Sequence, residues 1–116
     1  MTLEILKSNI RSCRVLPHNW NGYNAITPPI EAIDGCLLLI DKLNLNTILP
    51  SSTLSGDGKV GLFWENNLMT IEVDCKNTDT YGYLVDTPLY SIEEENVSLQ
   101  RILEIIPEKL QLFYTA

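Results

Sequence analysis

Between residues 60 and 74 the apolar positions leave helical spacing for strict alternation, and this constrains the fold more than any other stretch. Val60, Leu62 and Trp64 alternate with Gly61, Phe63 and Glu65; Met69, Ile71 and Val73 alternate with Thr70, Glu72 and Asp74. Asn66-Asn67 reads as a two-residue hairpin turn, because asparagine tolerates positive φ. That turn sets Glu65 opposite Leu68, Trp64 opposite Met69, Leu62 opposite Ile71 and Val60 opposite Val73. Six apolar side chains then share one face while Thr70, Glu72 and Asp74 share the other, so turn and pattern agree.

Before this switch the spacing is helical. Thr2 is placed to cap a first helix in which Leu3, Leu6, Ile10 and Cys13 form one stripe, ending near Val15 ahead of Pro17. Thr27 reads as the N-cap of a second helix with Pro28 at its first position, where the missing N–H costs nothing. Ile30, Ile33, Leu37 and Ile40 make a stripe beside Cys36, Leu39 and Leu43, so this helix has a broad buried face and is the central one. It is expected to end in Asn44-Leu45-Asn46, and Thr47 to Lys59 reads as a connector with a turn at Ser55-Gly56-Asp57-Gly58.

After the hairpin, Lys76-Asn77-Thr78-Asp79 is a turn. A third strand, Thr80 to Asp86, carries Tyr81, Tyr83 and Val85 on one side. Thr87-Pro88 turns the chain into an edge strand, Leu89 to Glu93, whose acidic end Glu93-Glu94-Glu95 opposes edge-to-edge pairing. Ser98 caps a last helix bearing Leu99, Ile102, Leu103 and Ile106. Pro107 is expected to interrupt it, and a final turn offers Leu110, Leu112, Phe113 and Tyr114. The expectation is an α+β fold in a single domain, residues 1–116: two N-terminal helices, an antiparallel meander of three to four strands, and a C-terminal helix packed on one sheet face.

Fifteen acids against eight bases give a net charge of −7. That opposes nucleic acid and anionic membranes as partners; the charge ordinarily serves solubility, and it also permits mimicry of nucleic acid or a protein partner with a basic or apolar surface. Cys13, Cys36 and Cys75 form no CxxC, and the N-terminal residues lack a secretory pattern, so a reduced, cytoplasmic protein is expected. Each cysteine falls on an apolar stripe, where it serves as a small hydrophobe. Zinc needs about four close ligands, which three scattered cysteines and His18 do not supply, and Asp57 lacks the acids that would follow it in a calcium loop. No phosphate-binding glycine motif occurs. His18 is the lone histidine, in a loop where exposure to solvent is its ordinary state. Neither metal, cofactor nor catalytic residue is expected, and the protein reads as a non-enzyme.

The loop from His18 to Pro29 sets Trp20 and Tyr23 among turn-forming Asn19, Asn21, Gly22 and Asn24. Trp20 there is either a lid on the core or part of a partner-binding patch with Asn21, Tyr23 and Asn24, since tryptophan and tyrosine are enriched in binding hot spots. The run Trp20-Asn21-Gly22-Tyr23-Asn24-Ala25 with Pro28-Pro29 resembles a W-D-G-Y-G-A pattern, followed by one or two prolines and a helix, found in small bacterial proteins. These carry further strands similar to Gly61-Leu62-Phe63-Trp64-Glu65 and Met69 to Asp74. Asn21 stands where they carry an acid. Asn24 stands where they carry glycine, and can hold the same left-handed conformation. The resemblance implies accessory or mobile-element cargo, near toxin–antitoxin or defence genes, and no particular reaction. Together these readings point to a protein-interaction module of antitoxin, immunity or inhibitor type, and the apolar C-terminal segment either docks on the sheet or offers a surface for homodimerisation. The alternative is a small-molecule-binding or enzymatic domain with a cleft beside the Trp20/Tyr23 loop.

Overall fold

The computed structural model describes residues 2–43 and 49–115. Thr2 accepts from the Ile5 amide at 3.2 Å and starts α1, Leu3–Ser12, which tightens into a 3-10 turn, Cys13–Val15, before Pro17. The second helix, α2, is Ile30–Leu43. Pro29, not Thr27, sits at its entry, its carbonyl accepting from Ala32 and Ile33. Its buried face is Ala32, Ile33, Gly35, Cys36, Leu39 and Ile40, while Ile30 is exposed, so the face lies to one side of the expected stripe. The expected helix end at residues 44–46 lies outside the described residues.

Five strands follow, not three or four: β1 Ser51–Leu54, β2 Val60–Glu65, β3 Thr70–Cys75, β4 Thr80–Asp86 and β5 Ser91–Ser98, each antiparallel to the next in chain order. The added strand β1 falls in the stretch read as a connector. Its short sequence, Ser-Ser-Thr-Leu, has little alternation of its own, and it is held by pairing with β2 from Ser51 opposite Phe63 to Leu54 opposite Val60.

The β2–β3 register also differs from expectation. Glu65 lies opposite Thr70, Trp64 opposite Ile71, Leu62 opposite Val73 and Val60 opposite Cys75, a slip of two residues. The physical cause is Asn66. Its side-chain oxygen accepts from the Leu68 and Met69 amides, both at 2.9 Å, and its own amide donates to the Met69 carbonyl at 3.0 Å. Asn66 therefore flanks a turn centred on Asn67-Leu68 and acts through its side chain, not through a left-handed backbone. Because side chains alternate with period two, a two-residue slip preserves every facing. Val60, Leu62, Trp64, Met69, Ile71 and Val73 are all buried.

β4 has the expected bounds, with Tyr81, Tyr83 and Val85 buried. β5 runs five residues past Glu93, so the acidic triplet lies within the edge strand instead of ending it. Val97 is opposite Tyr81 and Glu94 opposite Tyr83, which leaves Glu95 and Asn96 together opposite Gly82 as a bulge, with Asn96 at φ 56°. Lys76 secures the bulge, donating to Glu95 at 2.8 Å and Asn96 at 2.9 Å. Such a bulge disrupts the free edge as effectively as the charges do.

The Ser98 hydroxyl accepts from the Arg101 amide at 3.1 Å and starts α3, Leu99–Thr115. Pro107 does not interrupt this helix. It lies on the exposed side, while Ile102, Ile106, Leu110 and Phe113 hold the inner side in the core on both sides of it. Leu112 points outward, and the side chain of Tyr114 lies outside the described residues.

All three helices share one core cluster with the inner sheet face, joining Leu6, Ile10, Ile33, Cys36, Leu39, Trp64, Ile71, Tyr81, Ile102 and Ile106. No helix among the described residues is long and apolar enough to cross a membrane. α2 is seated by two backbone features. A β-carbon on Gly35 would collide with the Asn77 carbonyl of the β3–β4 turn, and the buried Tyr81 hydroxyl donates to the Gly35 carbonyl at 2.8 Å. Gly35→Ala should cost about 3 kcal/mol in chemical denaturation, because backbone on both sides leaves nothing to yield. Pro107→Ala should stabilise by about 1–3 kcal/mol, as it restores a helix hydrogen bond and relieves the ring clash.

Candidate functional site

Two surfaces stand out: the loop after α1 and the sheet face that no described helix covers. The loop is built by its asparagines. The Asn19 amide donates to the Ala25 carbonyl at 2.6 Å, and its side-chain oxygen accepts from the Asn24 amide at 2.6 Å, closing the loop on itself. The Asn21 side-chain oxygen accepts from the Tyr23 amide at 2.8 Å and the Ala25 amide at 3.3 Å. Asn19 (φ 63°), Gly22 (φ 78°) and Asn24 (φ 62°) all take left-handed backbone, which glycine and asparagine tolerate best. Ala25 is buried beneath, and the Ile26 amide donates to Gly56 of the β1–β2 turn at 2.8 Å, tying the loop to the sheet.

Within this frame the four residues singled out from sequence divide. Asn21 and Asn24 shape the loop. Trp20 is half-buried, its indole N–H donating to the Ile26 carbonyl at 3.0 Å, so it is clamped by the loop and is not among the core cluster. Tyr23 is 86% exposed at the tip. The result is an aromatic side chain presented on a backbone whose shape is already set. Asn21 also explains how the loop can carry asparagine where the resembling pattern carries an acid, since either side chain offers an oxygen to the same two amides.

The groups that could do chemistry lie elsewhere or are inert. His18 is exposed beside the loop. Cys13, Cys36 and Cys75 are free and buried. Burial and then the neighbouring Cys36 push the Cys13 thiol up; a hydrogen bond with Cys36, together with burial, holds the Cys75 thiol well above its usual range. Such thiols are poor nucleophiles. Among the described residues no group of three or more histidine, cysteine or acidic side chains is placed to hold a metal. Four cavities among the described residues have linings without Trp20, Tyr23 or His18; the most apolar lies at the opposite hairpin end, between Leu68, Pro88, Leu89 and Tyr90.

The second surface emerges from the register. The three helices and the 3-10 turn carry six acids and six bases, so the helical layer is neutral. The remaining nine acids and two bases, Lys59 and Lys76, place the whole charge of −7 on the sheet and its turns. Six of those acids, Glu65, Glu72, Asp74, Asp86, Glu93 and Glu95, stand on the uncovered face. Alternation in the sequence already sets Glu72 and Asp74 on this face with Thr70; Glu95 is missed because the edge strand is read as ending at Glu93.

No protein-family model, curated protein or solved structure matches the chain. The geometry of the two surfaces therefore carries the functional argument.

If Asn21 sets the loop, Asn21→Ala should expose the Tyr23 and Ala25 amides to faster hydrogen exchange while the sheet amides stay protected. Asn21→Asp should leave them protected, since the acceptor survives. On the sheet, burial and then Glu95 raise the Asp74 carboxyl above its ordinary value of 3.8. The folded state thus binds this proton more tightly than the unfolded chain. Its effect vanishes below the ordinary value, where both states are protonated, and becomes destabilising as pH rises through the raised folded value. Asp74→Asn should then raise the melting temperature at pH 7 and leave it unchanged at pH 3; an equal gain at both would assign the effect to packing.

Proposed function

We propose that this chain is a non-enzymatic interaction module that acts by binding another protein, in the manner of an antitoxin, immunity protein or inhibitor of bacterial accessory or mobile DNA. The observation that carries this reading is Tyr23, 86% exposed on a loop whose backbone is locked by its own asparagines and tied to the sheet. A loop that needs three left-handed residues to hold one aromatic outward is costly to build as mere connection, and rigid aromatic anchors are the common hot spots of protein interfaces. The buried thiols and the lone exposed histidine support the non-enzymatic part, and the resemblance of the Trp20–Ala25 run to mobile-element cargo supports the setting.

The test is affinity capture from host lysate with wild type, Tyr23→Ala and Asn21→Ala, read by mass spectrometry. Tyr23→Ala changes no hydrogen bond of the loop, so it should keep the melting temperature and lose a stoichiometric partner by tenfold or more. Asn21→Ala should weaken the same partner through the loop's shape. A partner retained by both variants would remove the loop from the binding surface.

A further inference from the structure

The uncovered sheet face is organised in stripes. Along β3 stand Glu72 and Asp74, and along β5 stand Glu93 and Glu95; between them β4 offers only Gly82 and Leu84. Leu84 is half-buried and forms an apolar floor between Glu72 and Glu93, while the room that Gly82 leaves by having no side chain is taken by the Glu95 carboxylate. Neither Leu84 nor Phe63 on β2 belongs to the core cluster. Glu72, Asp86 and Glu93 make no ion pair among the described residues, whereas the acids of the helical layer are matched in number by its bases, with Lys7–Asp41 and Arg14–Asp34 pairing across elements. One cation already uses a wall: Lys76 reaches across from the β3–β4 turn to Glu95 on β5.

We propose that this trough is the docking surface for a lysine- or arginine-rich segment of a partner protein, its cationic heads on Glu72 and Glu93 and its aliphatic stems over Leu84. The argument is charge complementarity on a matching shape. Long basic side chains bury their methylene stems on apolar surface while the head stays at a charged rim. Charge spread evenly for solubility would not leave the helical layer neutral and set six of the nine remaining acids on the one uncovered face. This inference rests on the reading of the chain as an interaction module and adds the partner's chemistry, on a surface separate from Tyr23.

A synthetic nonapeptide alternating arginine and alanine, titrated into the nitrogen-15-labelled protein, tests it. Amide shifts should concentrate on β3, β4 and β5, and affinity should fall at least tenfold between about 50 and 300 mM salt, as expected for a charge-driven contact. Glu72→Gln/Glu93→Gln should weaken binding at least tenfold. Glu4→Gln/Glu31→Gln, which removes the same charge from the helices, should change it less than twofold. Equal losses in the two double variants would reduce the effect to overall charge and overturn the proposal, as would shifts spread over the helices or no binding. Tyr23→Ala should bind the peptide like wild type. Failure here with Tyr23-dependent capture intact would discard the trough alone, and failure of both would discard the interaction reading.

Discussion

The contact between α2 and the β3–β4 turn sets the geometry on which the rest depends. Gly35 lets the helix backbone meet the Asn77 backbone, and the Tyr81 hydroxyl fills the otherwise unused capacity of the Gly35 carbonyl inside the core. A buried hydroxyl left without a partner would oppose folding, so this bond fixes where the helix lies along the sheet and not merely that it packs. Burial pushes the Tyr81 phenol pKa upward, consistent with a hydroxyl that stays a donor at any physiological pH. With α2 placed, Cys36 meets Cys75, Ile33 and Leu39 meet the inner strand residues, and α1 and α3 complete the same cluster. The opposite sheet face is left to solvent as a consequence.

What the sequence made legible follows from which signals are periodic. The buried set of β2, β3 and β4 is readable because alternation determines facing, and facing survives the two-residue slip that Asn66 imposes. The turn itself is not readable at that precision, since asparagine can serve a turn by left-handed backbone or by side-chain acceptor. Here Asn19 and Asn24 use the first and Asn66 the second. β1 is invisible because its order comes from the neighbour it pairs with. Pro107 misleads because local propensity is outweighed by four apolar anchors spread along the inner side of α3.

The site was legible by residue type and not by role. Two aromatics among asparagines and glycine announce a shaped loop, but only the folded loop divides Trp20, clamped by its own N–H, from Tyr23, left outside. The same holds for charge. Composition gives −7, and only the element boundaries show a neutral helical layer backed by a sheet that carries the whole excess.

The two surfaces are joined through one turn. Gly56 accepts the hydrogen bond that anchors the aromatic loop, and the flanking Ser55 and Lys59 line a depression with Thr53, Glu72 and Asp74 on the uncovered face. A partner seated on the sheet would thus abut the turn that holds Tyr23 in place. The aromatic loop and the acidic stripes are distinct surfaces that adjoin through the β1–β2 turn. The loop owes its shape to short-range hydrogen bonds, whereas the field of the sheet carboxylates reaches further and is shortened by salt.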